Sequence, residues 1–277
     1  MIHVVRAIHT AQRRLAICVL CVGVFSLVGC ASLSPASDAG GVNASPDQTA
    51  LRERATRRLA LASAYFESAQ IDVAEQEVRA ALQIDPHFAQ AYGLLALIQQ
   101  RNNALPLADQ SFQQALANLP SQAADLADIE HNYGWFLCQQ DKFEASQVQF
   151  DHALAQPSYR QKSKTFMVKG LCQLRAKQPE AARNSFKQAL GITPNNPVAR
   201  YSLARLDWQE GHTREAQAVL LPLNQGEQAN AESLWLGIQL SHALKQTREM
   251  AMLAKRLTTQ FPDSTQAQLW EQKKFED

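Results

Sequence analysis

The sequence predicts an all-α solenoid of about six helix–turn–helix units with a C-terminal capping helix. Small residues recur with a period of about 34: Ala74, Ala108, Ala182 and Ala216 have similar neighbours. Seven residues after the small residue of each unit stand Ala81, Ala115, Ala153 and Ala189, and Pro86, Pro120 and Pro194 follow five later. The composition, 46% hydrophobic with 11 Gly and 11 Pro in 277 residues, suits helix. Self-similarity at this period is the signature of stacked small units. Such an array offers a long concave surface instead of a deep pocket, which favours protein binding over catalysis.

Residues 1–29 read as a secretion signal. Arg6, Arg13 and Arg14 precede an apolar run over residues 15–28, which suits a signal core and is short for a membrane span. The run ends Leu27-Val28-Gly29-Cys30, which resembles the bacterial lipobox. That resemblance implies cleavage between Gly29 and Cys30, lipidation of the Cys30 sulfur and acylation (palmitate among the chains) of its new amino group. A thiolate is the nucleophile that takes the lipid, and several acyl chains hold a bilayer far better than one. Ala31, in place of Asp, implies sorting to the outer membrane, with the folded body facing the periplasm. Residues 30–50, rich in Ala, Ser, Asp, Gly and Pro, read as the lipidated Cys and a flexible tether. The repeat superhelix is expected over residues 51–277.

Six units start near Ala55, Ala89, Ala127, Ser163, Pro197 and Ala231, with the longer spacings absorbed by loops before the third and fourth. At the eighth position stand Ala62, Ala96, Gly134, Gly170 and Ala204, and at the twentieth Ala74, Ala108, Ser146, Ala182 and Ala216. Small residues at both let two helices cross closely. The twenty-fourth position carries Val78, Phe112, Phe150, Phe186 and Leu220 as knobs beside the crossing. Pro86, Pro120, Pro194 and Pro262 end second helices, since Pro lacks the amide proton and clashes with the preceding turn. These features resemble the tetratricopeptide repeat. The sixth unit departs, with Ile238 and Met250 at the small positions, so altered packing is expected there. Residues 265–277 read as an amphipathic capping helix, with Leu269, Trp270 and Phe275 covering the last unit.

In a tetratricopeptide stack the first helix of each unit lines the inner surface through positions 2, 5, 9, 12 and 13. The resemblance therefore implies a peptide groove of Leu59, Phe66, Leu97, Trp135, Cys138, Met167, Leu171, Leu174, Tyr201, Trp208 and Trp235. Such aromatic and Met-containing grooves receive amphipathic helices, although a tight superhelix also buries some of these side chains in its own core. Cys138 and Cys172 fall on neighbouring helices at different helical positions. An oxidising compartment permits a bridge, and small buried hydrophobe is the expected role.

Catalytic and cofactor signatures are missing from the sequence. It holds no H-E-x-x-H pattern, no glycine-rich phosphate loop and no nucleophile elbow, and Cys138 and Cys172 offer no close metal-binding pair. His131 and His242 fall near the predicted inner face, where a lone His more often makes a single polar contact. Asp125 and Asp128 read as helix-start acids. Beyond the signal, 24 basic and 26 acidic residues leave no basic field for nucleic acid. No enzyme activity, cofactor, metal, nucleic acid or small-molecule substrate is expected.

Most of the mature chain resembles the type IV pilus biogenesis/stability lipoproteins of the PilF/PilW type, which are tetratricopeptide secretin pilotins. The resemblance rests on the lipobox, on residues 55–62, on His131-Asn132-Tyr133-Gly134-Trp135-Phe136-Leu137-Cys138, and on Ser233-Leu234-Trp235-Leu236-Gly237-Ile238 with Phe261-Pro262-Asp263-Ser264. It implies a non-enzymatic lipoprotein that binds secretin subunits and promotes their outer-membrane localisation and assembly. An apolar secretin helix would lie on the early repeats. The alternative is a tetratricopeptide lipoprotein adaptor that regulates a periplasmic cell-wall enzyme. Asp141 departs from the family, where glycine is usual in the turn.

Overall fold

The computed structural model describes residues 46–120, 123 and 125–275. Within them the chain forms thirteen helices: α1 Pro46–Glu67, α2 Ile71–Ile84, α3 Ala89–Arg101, α4 Leu105–Ala117, α5 Leu126–Gln139, α6 Phe143–Ala155, α7 Lys162–Arg175, α8 Pro179–Ile192, α9 Pro197–Gln209, α10 Thr213–Gln225, α11 Ala231–Ala243, α12 Thr247–Gln260 and α13 Thr265–Glu271. Consecutive pairs from α1–α2 to α11–α12 are the six expected units, and α13 follows as a cap. Each odd-numbered helix packs against the next odd-numbered one, so α1, α3, α5, α7, α9 and α11 form one continuous layer with their partners behind. It is an all-α tetratricopeptide-repeat solenoid.

The small positions do what their chemistry requires. Ala62, Ala74, Ala96, Ala108, Ser146, Ala182, Ala204 and Ala216 are fully buried, as are the knobs Val78, Phe112, Phe150 and Phe186. A Cβ at Gly134 would lie 2.9 Å from the Phe150 ring, and one at Gly170 would lie 2.6 Å from the Phe186 ring. Glycine there makes room for a full aromatic knob at the helix crossing.

The turn inside each unit is one motif used six times. Its fifteenth residue is left-handed: Ala69, Asn103, Asp141, Lys177, Gly211 and Lys245, with φ between 56° and 83°. The following amide donates to the carbonyl five residues earlier, as in Gln70 to Tyr65 (2.8 Å) and Gln178 to Gln173 (2.8 Å). This Schellman closure satisfies helix-end carbonyls and reverses the chain. Only Gly211 adopts that conformation without a Cβ penalty; Asn103 and Asp141 tolerate it better than Ala69, Lys177 or Lys245. Asp141 thus serves in the turn and also accepts from Arg175 Nε at 3.0 Å across to the next unit.

Two boundaries differ from expectation. Helix α1 starts at Pro46, inside the stretch read as tether, because Pro at the first helical position and Asp47 in the first turn suit a helix start. The cap α13 stops at Glu271, not at the chain end. Lys273 turns left-handed and Lys274 N–H donates to the Leu269 carbonyl at 3.0 Å, which sends Phe275 back over the last unit. The sixth unit repacks as expected: its small residue moves to Gly237, where a Cβ would lie 2.5 Å from Asn224 Nδ2 and 3.0 Å from Leu253 Cδ1. Ile238 is then fully buried and Met250 packs on the same cluster.

Candidate peptide groove on the inner helix layer

The stripe of side chains expected on the inner layer is present, and each member belongs in part to its own core cluster. Leu59 and Phe66 are half-buried against the first cluster, Leu97 against the second unit, and Trp135 against the cluster around Phe150. Met167, Leu171 and Leu174 pack beside Phe186 and Leu203, and Tyr201 and Trp208 beside Leu220 and Leu240. Their remaining exposure leaves an interrupted apolar surface. Inner polar side chains join adjacent units: Gln100 Nε2 donates to Gln139 Oε1 at 2.8 Å, and the guanidinium of Arg101 lies 5.6 Å from the Phe66 ring.

One member does not line the groove and another is mostly covered. Cys138 is fully buried and forms a disulfide with Cys172, with Cα atoms 5.9 Å apart. The bridge ties α5 to α7, so both cysteines are a covalent staple, not free apolar side chains. Position twelve of one inner helix and position ten of the next come together because adjacent inner helices are rotated against each other, which sequence spacing does not reveal. Trp235 is only 6% exposed. Its ring is covered by Phe275, with centroids 6.2 Å apart and planes 17° apart.

The other singled-out polar residues have structural partners. His131 is buried, with Nδ1 2.7 Å from Thr165 Oγ1, which also meets the Tyr159 hydroxyl at 2.8 Å. Burial, and secondarily the charge of Lys164, push the imidazole pKa down to about 4. Asp125 and Asp128 stand at the start of helix α5 as expected, at the N-cap position and in the first turn, and their carboxylates also accept from Gln90 Nε2 at 2.6 Å and Gln161 Nε2 at 2.9 Å. His242 is stacked 4.6 Å from Phe275. Glu130, which the sequence did not single out, is 5% exposed, and burial raises its carboxyl to about 7. His152 Nδ1 lies 3.8 Å from its Oε1. Among the described residues no group of three or more His, Cys, Asp or Glu side chains is placed to hold a metal.

The inner layer also contains a cavity of about 410 Å³ between α9, α11 and α13, lined by Tyr201, Arg205, Trp208, Gln209, Glu232, Trp235, Leu236, Gln239 and Gln266. Its aromatic members were legible from the repeat. Gln266 was not, since it comes from the cap.

A tetratricopeptide-repeat family model matches residues 173–236. The type IV pilus assembly protein PilF of Pseudomonas aeruginosa is 30% identical over 210 residues, covering 76% of this chain and 82% of PilF. The chain belongs to the PilF/PilW family. Solved structures agree with this. The P. aeruginosa PilF structure superposes with a TM-score of 0.70 at 28% identity, covering 81% of this chain and all of that one. PilW, described as a widely conserved type IV pilus biogenesis factor, superposes with a TM-score of 0.66 at 30% identity, covering 77% of this chain and 96% of that one. The chain is thus a tetratricopeptide-repeat protein of type IV pilus biogenesis, and these PilF/PilW relatives are biogenesis factors, not enzymes. The lipobox, with Gly29 and Cys30, lies outside the described residues, as do the signal peptide and most of the tether. Among the described residues no helix is long and apolar enough to cross a membrane.

Proposed function

We propose that this protein is an outer-membrane lipoprotein pilotin, which binds secretin subunits of the type IV pilus and promotes their localisation and assembly. The observation that carries this reading is the match to PilF along most of both chains. Cys30 supplies the lipid anchor, and the inner helix layer supplies recognition. An apolar secretin helix lies along Leu59, Phe66, Leu97 and Trp135, where half-buried apolar side chains are already held in place by their own cores. A receiving surface that is pre-ordered loses little side-chain freedom on binding.

Co-purification of detergent-solubilised secretin on the tagged protein tests this. Wild type retains the secretin, and a Leu97→Asp/Trp135→Ala variant with an unchanged helical spectrum loses at least ten-fold. Equal retention by that variant would refute the groove assignment, and no retention by wild type would refute the pilotin role. For the anchor, Cys30→Ala should leave the outer-membrane fraction, and continued flotation with that fraction would contradict lipidation at Cys30.

A further inference from the structure

The chain's own C-terminal segment shows how the inner layer holds a peptide. Phe275 rests on positions 5, 9 and 12 of the sixth unit. Its ring stacks 6.2 Å from Trp235 and 4.6 Å from His242, and its carbonyl accepts from Gln239 Nε2 at 3.0 Å. One aromatic side chain lies between two flat rings, and one backbone oxygen faces a donor.

The same positions one unit earlier are Tyr201, Arg205 and Trp208, again a ring, a donor and a ring. They face the cavity of about 410 Å³. Packing against Leu220 and Leu240 holds both rings, and the Arg205 guanidinium lies 6.0 Å from the Tyr201 ring centroid. The important difference is Arg in place of Gln. A guanidinium only donates, carries charge, and binds a carboxylate in a forked geometry that an amide cannot match. Glu232, also in the cavity wall, repels a second acid on its own side.

We propose that Tyr201, Arg205 and Trp208 form a docking site for an extended peptide of a partner protein, presenting an aromatic side chain followed by an acidic residue. The aromatic ring enters between Tyr201 and Trp208 as Phe275 does between Trp235 and His242. The acidic side chain meets Arg205. The site shares no residue with the early-repeat surface assigned to the secretin, so it serves a second partner.

The probe is the peptide Lys-Lys-Phe-Glu-Asp, the chain's own last five residues, labelled at its N-terminus and titrated with the full chain in detergent by fluorescence anisotropy. Saturable binding is expected. Arg205→Glu, Trp208→Ala and a Phe→Ala peptide should each weaken it at least ten-fold. Phe275→Ala should leave it within two-fold, and Arg205→Glu should still retain secretin. Arg205 is exposed, so its substitution spares the core even where Trp208→Ala unfolds the unit. Three outcomes overturn the proposal: no saturable binding up to millimolar peptide, unchanged affinity in Arg205→Glu, or a ten-fold gain in Phe275→Ala that Gln239→Ala abolishes, which would put the peptide on the tail's own seat. Trp208-dependent binding of an N-acetylglucosamine oligomer with no peptide binding would replace the peptide by a glycan. Loss of secretin retention in Arg205→Glu would merge the two sites and also refute a separate partner.

Discussion

The third and fourth units are joined by covalent and buried polar contacts; the fifth is joined to its neighbours by charged side chains, and the sixth is closed by a cap and a folded-back tail. Between α5 and α7 run the Cys138–Cys172 disulfide and the His131–Thr165–Tyr159 cluster, beside two glycine–phenylalanine crossings. Further on, Arg183 of α8, in the fourth unit, pairs with Asp207 and Glu210 of the fifth, and Arg256 of α12 donates to the carbonyl of Gly226, just after α10, at 2.7 Å. Asn230 and Ser233 form a reciprocal cap at α11, and Phe275 closes the end. The open cavity lies in this second region. A covalent bond and buried polar contacts hold the middle of the stack, and the cavity-facing Tyr201, Arg205 and Trp208 lie in the region without such a bond.

The comparison breaks most strongly at the disulfide. Closing a loop of 34 residues should contribute about 3–4 kcal/mol, most of it through the unfolded chain, so Cys138→Ser/Cys172→Ser should lower the urea midpoint sharply and make it insensitive to reductant. A midpoint unchanged by reductant in the wild type would remove this distinction between the regions. Next is the aromatic crossing: Gly170→Ala drives a methyl into the Phe186 ring and should cost about 1–3 kcal/mol in thermal denaturation. Ala204→Gly, at the matching position of the fifth unit, should cost about 1–2 kcal/mol, the helix-propensity difference plus the loss of one buried methyl.

Protonation separates the regions at a smaller scale. Glu130 titrates near 7 in the fold instead of near 4.5, so the folded chain keeps a proton that the unfolded chain gives up, and stability falls as pH rises between those values. His131 has the opposite sign: held near 4, it makes stability fall as pH drops from 6.5. Glu130→Gln should therefore raise stability by about 1–2 kcal/mol more at pH 8 than at pH 4, where both states hold the proton, measured by thermal scans at both. The smallest effect is in the turns. Lys177→Gly should add about 0.5–1 kcal/mol, since Lys177 has φ 58°, whereas Gly211→Lys, at the same place one unit on, should cost about as much. Equal urea midpoints for those two variants would show that the turn conformation differs from the one described.

Much of the fold was legible in advance. Pro86, Pro120, Pro194 and Pro262 do follow second helices, and the buried alanines and phenylalanines stand where the period put them. The groove was legible only in outline. Period placed Trp135, Trp208 and Trp235 on one helix layer, but not that Trp235 would be covered by a tail whose helix stops at Glu271. It placed Asp125 and Asp128 at the start of α5 but not their bonds to Gln90 and Gln161, which depend on where neighbouring units bring those side chains.

By itself the sequence determined the unit length, the helix ends, the close crossings and the failing register of the sixth unit. All are local or periodic, set by backbone sterics and side-chain volume over a few residues. Only the tertiary structure decided that Cys138 meets Cys172, that Glu130 is buried beside His131, and that Phe275 seats on Trp235 while Tyr201 and Trp208 face open space. Those contacts depend on the rotation between stacked units and on the path of the chain after α13, which short-range spacing does not encode.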